Sequence, residues 1–470
     1  MRETLEHEVK LAPGEGFVFP ELMGERLPSR VFISTYHDTD DLRLAPYGVT
    51  LRHRVEDGTG LWQLKLPRGA ARLELEVPGQ ASRPPAELVD LLPAYLRGRQ
   101  LVPVARLRTR RETIRASGAE VVDDSVSVLE GQRVARRFRE IEIELVEGDE
   151  RDLRRLVKAM RRSGAVEHGV LQPKLHRALD IPAPAPPTTI ASDASPGEAL
   201  AVALGHEYRE LLIHDPGTRR GVDPEDLHQL RVATRRLRAF LRAAGDLVET
   251  EWAASLREEL GWLGGHLGPA RDLDVMLDRL RSEVAALGED GEGAAGLLVA
   301  LEEEREAAYV DVVDVLGDAR YFALLERLEE AAAPPLTGDE TTLTAIFHRE
   351  AKRMRKTFAA LGDDPADDLL HRSRIAVKRA RYAADLAASE LGRSGERFVT
   401  IAKQMQDILG DHQDAVFAEA RIRTWAASDP AGSFPAGRLV QLERDRKAAA
   451  RAAWPGTWQE LDEAARRAVR

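Results

Sequence analysis

The chain has 470 residues, a net charge of −11 and no cysteine. Without cysteine there is no disulfide, no thiolate metal site and no cysteine nucleophile, and the negative balance argues against a general nucleic-acid binder. With 43% hydrophobic and 31% charged residues the composition is that of a globular protein, and the length suggests about two to three domains. Residues 1–10 are charged rather than basic and then apolar, so no signal peptide is expected there. No apolar run reaches the ~20 residues needed to span a bilayer, so no membrane partner is expected and the cytoplasm is the expected location.

The first predicted element is Leu5-Glu6-His7-Glu8-Val9-Lys10-Leu11. On a strand this alternation sets Glu6, Glu8 and Lys10 on one face and a mostly apolar row on the other. Carboxylates beside an ammonium suit a metal-bound polyphosphate: the acids hold a hard divalent cation and the lysine holds phosphate oxygens. Gly14-Glu15-Gly16 reads as the turn after it.

Further alternating segments follow in order: Arg52 and Arg54, Lys65, then Arg72, Glu74 and Glu76, then Arg106, Arg108 and Arg110, and finally Glu140, Glu142 and Glu144. An antiparallel sheet with one solvated face is the ordinary reading of such a pattern. Solvated faces, however, also use Thr, Ser and Gln, whereas these are almost wholly Glu and Arg. A closed barrel with a charged lumen and an apolar outer face covered by helices accounts for both rows. Residues 86–97 and 152–163 read as helices able to cover it.

This ordered set resembles the CYTH superfamily, or triphosphate tunnel metalloenzymes, whose signature Glu-x-Glu-x-Lys is matched by Glu6, Glu8 and Lys10. Asp124 in Asp124-Ser125-Val126 and Lys174 in Gln172-Pro173-Lys174 complete the match over residues 1–180. The resemblance implies an eight-stranded antiparallel tunnel that binds triphosphate and Mg²⁺ or Mn²⁺. It implies that Lys10, Arg52, Arg54, Lys65, Arg108, Arg110 and Lys174 hold substrate. Metal would fall to Glu6, Glu8, Glu76, Asp124, Glu140, Glu142 and Glu144, and catalysis to Glu6, Glu8, Lys10 and Lys65. Either adjacent pair of Glu140, Glu142 and Glu144 fits the family pattern, and Asp123 competes with Asp124.

Residues 182–196 are Pro-rich and then small and polar, which reads as a linker between a domain at 1–181 and another at 197–470. Beyond it Ala, Leu, Arg and Glu recur with a helical period, with breaks expected at 216–217, 288–296, 334–335 and 362–365. Residues 1–180 carry 30 basic and 29 acidic side chains and the remainder 38 and 50. The second domain is therefore acidic overall, yet its basic groups cluster.

Leu227-His228-Gln229-Leu230-Arg231 and the residues after it align without a gap with Leu370-His371-Arg372-Ser373-Arg374 and theirs. Leu267-Gly268 and Asp272 likewise recur as Leu409-Gly410 and Asp414, so the domain is an internal repeat. At ~100° per residue His228, Arg231, Arg235 and Arg238 share one helix face, as do His371, Arg374, Lys378 and Arg381. A stripe of like charge repels itself unless an anion lies against it. The duplicated motif, with its Leu-Gly…Asp turn, resembles the CHAD family, which implies two pseudo-symmetric helical bundles around a basic cavity that binds inorganic polyphosphate. Lys352 and Lys356 would extend that surface.

The expected fold is thus an α+β two-domain chain: a β tunnel with covering helices, then an all-α domain. The expected function is a metal-dependent inorganic triphosphatase with a polyphosphate-binding domain, which could associate with polyphosphate in the cell. An adenylate cyclase or a non-catalytic polyphosphate binder are the alternatives. Neither a zincin helix at His206 nor a Walker loop is present, and the scattered tryptophans give no stacking platform for nucleic acid.

Overall fold

The two-residue alternation does build strands. In the computed structural model, which describes residues 1–20, 24–69, 71–166, 173–184, 190–191, 194–338 and 341–469, the chain divides into two units, Met1–Pro187 and Thr188–Arg470. Part of the expected linker, at 185–189 and 192–193, lies outside the described residues, as does Gln172.

Eight long strands form the first unit: β1 (Arg2–Pro13), β3 (Arg30–Asp38), β4 (Thr50–Glu56), β5 (Thr59–Arg68), β6 (Ala71–Pro78), β7 (Val102–Ala116), β8 (Ala119–Glu130) and β9 (Arg133–Leu145). They pair antiparallel in the order β1-β6-β5-β4-β3-β7-β8-β9, and β9 returns to β1 to close the ring. Short strands β2 (Glu25–Arg26) and β10 (Ala165–Val166) add to β7 and β1. Two hairpins turn on Asp57-Gly58 and Ser117-Gly118, both residues of each pair having positive φ, which matches the twist of the strands they join. Helices α1 (Ala86–Val89) and α2 (Pro93–Leu96) occupy the stretch expected to be helical, and α3 (Glu150–Arg162) starts from a capping box made by Asp149 and Asp152.

The packing identifies the faces. Leu11, Ile114, Val121, Ile141 and Ile143 form one apolar cluster with Leu156 and Met160 of α3, so these strand positions point outward. Residues of the opposite parity point inward: Glu6, Glu8 and Lys10; Arg52 and Arg54; Lys65; Glu74; Arg111; Asp124; and Glu140, Glu142 and Glu144. A second cluster of Tyr36, Leu107 and Val126 is met by Leu175 of α4 (Lys174–Leu179), which seats this helix against the barrel.

The second unit is helical: α5 (Pro196–Arg220), α6 (Pro224–Ala244), α7 (Thr250–Leu287), α8 (Ala295–Leu316), α9 (Ala319–Glu330), α10 (Leu343–Ala359), α11 (Asp367–Leu386), α12 (Ala388–Ser428) and α13 (Ser433–Ala468). α5 to α8 pack each on the next, as do α10 to α13, and α6 packs on α11 where the halves meet. The linker side of α5 is fixed by a capping box between Ser195 and Glu198.

Two expectations fail here. The break at 216–217 is absent, because α5 runs through Pro216 to Arg220. Gly217 is there for proximity: a Cβ on it would fall 1.9 Å from Asp226 Oδ2 on α6. The Leu-Gly…Asp segments are not turns but lie inside α7 and α12. At Gly410 a Cβ would meet the Arg374 guanidinium at 2.9 Å, so this glycine lets an arginine lie against the helix.

Candidate functional site

Inside the barrel the charges fall into two groups. In the first, Asp124, Glu140 and Glu142 bring carboxylate oxygens within 4.8 Å of one another, close enough to hold a metal ion. Their charge is already matched. Lys174 Nζ stands 2.7 Å from Asp124, 3.0 Å from Glu140 and 3.0 Å from Glu142. Lys10 Nζ lies 2.5 Å from Glu142, and Arg111 donates to Asp124 at 2.6 Å and Glu142 at 3.0 Å. Burial alone would raise Glu142, but Lys10, Lys174 and Arg111 reverse this and hold it well below the usual carboxylate range. Burial likewise works against the Lys174 ammonium, and Asp124, Glu140 and Glu142 keep it firmly charged.

The second group is short of positive charge. Glu8 and Glu144 are register partners on β1 and β9, and Glu8 has Lys10 Nζ at 3.4 Å. Among the described residues Glu144 has no recorded ion pair. Burial and then Glu6, Glu142 and Glu8 push it up to about 7, against the pull of Lys65. Glu6 is also raised, by burial and by a hydrogen bond shared with Glu74, although Lys65 Nζ is 2.5 Å away. Lys65 is 3.4 Å from Glu74 as well.

The β4 arginines line the wall across from β9. Arg52 donates to Gln63 Oε1 at 2.8 Å and to Tyr36 OH at 3.3 Å. Arg54 and Arg111 lie 3.9 and 5.5 Å from the Phe32 ring, so one aromatic on β3 brings together guanidinium groups from β4 and β7. Burial and the neighbouring Arg52 push Arg54 down to about 10, even though Glu56 is paired with it.

The expected site residues are thus brought together with two exceptions. Arg108 and Arg110 are exposed and share the parity of Ile114, which packs outward under α3, so they stand outside the lumen. The inward basic residue of β7 is Arg111. Its signal was present: counting back from apolar Ile114 puts Arg110 on the outer face and Arg111 on the inner one. Glu76 accepts from Gln63 at 2.7 Å and lies 4.0 Å from Arg2, while its neighbour Glu74 is the one that meets Lys65 and Arg52. The competition between Asp123 and Asp124 is settled, since Asp123 pairs with Arg139 on the outer face. All three glutamates of β9 face inward, as a two-residue period requires.

In the helical unit α6 and α11 set their stripes face to face around a cavity of about 440 Å³, lined by Arg235, Arg238, His371, Lys378 and Tyr382 among others. Arg235 donates to Tyr382 OH at 2.9 Å and Arg381 stacks on the same ring at 4.7 Å. Arg231 reaches Asp272 at 2.6 Å. Burial, then Arg374, Arg235 and Arg231, push Lys378 down to about 7. Burial and Arg271 lower His228 too. Buried Nε atoms of Arg257, Arg271, Arg374 and Arg381 lack a hydrogen-bond partner, a costly arrangement that an anion would relieve. Arg242, Arg257 and Arg379 also line the cavity, whereas Lys352 and Lys356 do not and are exposed on α10. Arg257 comes from α7, outside the repeated stripe that the sequence displays.

A closed β tunnel with an acid-and-base lumen followed by a duplicated helical array defines a two-domain chain of the CYTH and CHAD classes. Residues 5–167 match the CYTH domain and residues 202–423 the CHAD domain. Two Mycobacterium tuberculosis proteins described as uncharacterized, from strains CDC 1551 / Oshkosh and H37Rv, are each 31% identical over 511 residues, covering 99% of this chain and 98% of theirs. The chain belongs to the family in which these two domains are joined. Among solved structures it is similar to PptA from Streptomyces chartreusis (24% identity, 57% of this chain and 100% of that one, TM-score 0.49). It is also similar to the CHAD domain from the plant Ricinus communis (25% identity, 59% and 94%, TM-score 0.49). Among the described residues no helix is long and apolar enough to cross a membrane.

Proposed function

We propose that the tunnel, residues 1–181, is a metal-dependent inorganic triphosphatase and that the helical domain, residues 197–470, binds inorganic polyphosphate in the cytoplasm. The observation that carries the first part is the pairing of crowded, largely buried cations with a group of carboxylates that is short of positive charge in one lumen. Carboxylate oxygens are the donors that Mg²⁺ or Mn²⁺ prefers. Glu6, Glu8 and Glu144 would hold the ion, because among the described residues Glu144 has no cationic partner and the cations beside Glu6 and Glu8, Lys65 and Lys10, are shared with other carboxylates, while Lys174, Lys10 and Arg111 already neutralise Asp124, Glu140 and Glu142. When bound, such an ion neutralises phosphoryl oxygens and acidifies water.

The chain's own residues supply the rest. Arg52, Arg54, Arg111 and Lys65 clamp phosphate oxygens, which removes the repulsion between them and holds the chain for in-line attack. Lys174 and Lys10 keep Glu142 charged and fix the direction of Glu140 and Glu142. Water attacks the terminal phosphorus, the bridging P–O bond breaks, and its electron pair leaves with pyrophosphate, while an inward carboxylate takes the water's proton. For the helical domain the support is the cavity's basic lining, Arg235, Arg238, Arg242, Arg257, Lys378 and Arg379, in which the buried Nε of Arg257 has no hydrogen-bond partner.

The test is to give the full chain, with Mg²⁺ or Mn²⁺, either triphosphate or ATP and to identify the products. Phosphate and pyrophosphate from triphosphate are expected, with Arg111→Gln slower by roughly 10²-fold and Arg110→Gln close to wild type. Cyclic AMP from ATP would replace this reading with a cyclase, and no product with intact polyphosphate binding would leave a binding protein.

A further inference from the structure

Arg108 and Arg110, excluded from the lumen, belong to a separate feature on the outside of the barrel. Their strand registers place Ser127 opposite Arg108 and Ser125 opposite Arg110 on β8, and β9 continues both rows with Arg137 opposite Ser127 and Arg139 opposite Ser125. The result is a shallow groove of about 630 Å³ between two pairs of arginines with serine hydroxyls along its floor. α3 covers the neighbouring part of the outer face but not this one.

The groove is short of acid. Arg139 is held by Asp123, and Arg110 has Glu112 at 3.8 Å, but among the described residues Arg108 and Arg137 have no recorded ion pair and both are exposed. Like charges this close repel one another unless an anion lies between them. Guanidinium forks with hydroxyl donors match phosphate oxygens. Recognition of single-stranded nucleic acid on a sheet would add exposed aromatic rings for the bases. The only aromatic in this lining, Phe138, carries the Arg177 guanidinium on its ring at 4.1 Å. The chemistry therefore favours a polymer of bare phosphates.

We propose that this outer face of β7, β8 and β9 is a second docking track for inorganic polyphosphate, separate from both the lumen and the helical cavity. The proposal rests on the reading of the protein as a polyphosphate binder. It is tested in full-length protein whose helical cavity is disabled by Arg235→Glu with Lys378→Glu, using long-chain inorganic polyphosphate as the probe. That protein should keep a weaker, salt-sensitive affinity, which Ser127→Asp with Arg137→Glu should reduce by a further tenfold or so. Ser127→Asp with Arg137→Glu alone should leave triphosphate hydrolysis unchanged, and the milder pair Arg108→Gln with Arg137→Gln should show the same loss of binding in smaller measure.

Residual affinity indifferent to both outer-face pairs, or absent once the cavity is disabled, would overturn the track while leaving the helical domain's role intact. Single-stranded RNA displacing polyphosphate from the cavity-disabled protein at equal phosphate concentration would overturn the choice of ligand. Failure of the unaltered protein to bind polyphosphate at all would overturn the reading on which the track rests, and the track with it.

Discussion

Lys378 shows how a single residue can carry both the cost and the use of the helical cavity. It faces Arg374, Arg231, Arg235 and Arg381, and burial with these neighbours brings it from 10.5 to about 7. An unfolded chain keeps that proton up to its ordinary value, so between about 7 and 10.5 the unfolded state binds more protons and the free protein gains stability as pH rises. A polyanion reverses the preference, since it favours the charged form, and binding above pH 7 takes up a proton. Affinity for polyphosphate should therefore fall as pH rises from 7 to 9, by up to about tenfold per unit. Titrations across that range should show this slope, and Lys378→Arg should flatten it. A slope unchanged in the arginine variant would assign the effect elsewhere. The stripe itself was legible in the sequence because it occurs twice, at His228 to Arg238 and again at His371 to Arg381. Arg257 was not legible, because it reaches the cavity from α7 by tertiary packing that no spacing records.

At the scale of elements, the strands were legible and two of their details were not. Two-residue alternation of acids and bases with Leu, Ile and Val fixed which face of β1, β4 and β9 is wet, and barrel closure turned that face inward. On β7 the row Arg106, Arg108, Arg110 has the same alternation, yet the fold puts it outside. Continuity with Ile114, which α3 covers, decides the parity there, and Arg111 is the residue that enters the lumen. The helices misled in the opposite sense, since Pro216-Gly217 and Leu267-Gly268 look like breaks and are helix interiors. Of their glycines Gly217 serves close approach, whereas a Cβ on Gly268 would meet nothing within 4 Å. Gly217 lies against Asp226, which is buried and has His214 Nδ1 at 2.9 Å from its Oδ1. Gly217→Ala gains about 1 kcal/mol of helix propensity and forces a buried carboxylate aside at roughly 1–3 kcal/mol. A lower urea midpoint is expected, and an unchanged or higher one would show that Asp226 has room to move.

At the scale of the whole molecule, two units with their own cores carry two differently built charged sites. The tunnel confines cations and carboxylates in a lumen where water screens them little, which suits charge neutralisation in a reaction. The helical unit presents a wider basic cavity inside an otherwise acidic array, which suits holding a polymer without cutting it. Mutation of either site should then leave the other working. The most direct measurement compares wild type and Glu8→Gln, both full length and with Mg²⁺, for phosphate release from triphosphate and, on the same samples, for polyphosphate binding. Activity is expected to fall by roughly 10²-fold or more while binding is retained. Hydrolysis that survives in Glu8→Gln, or binding lost together with activity, would contradict the assignment of catalysis to the tunnel.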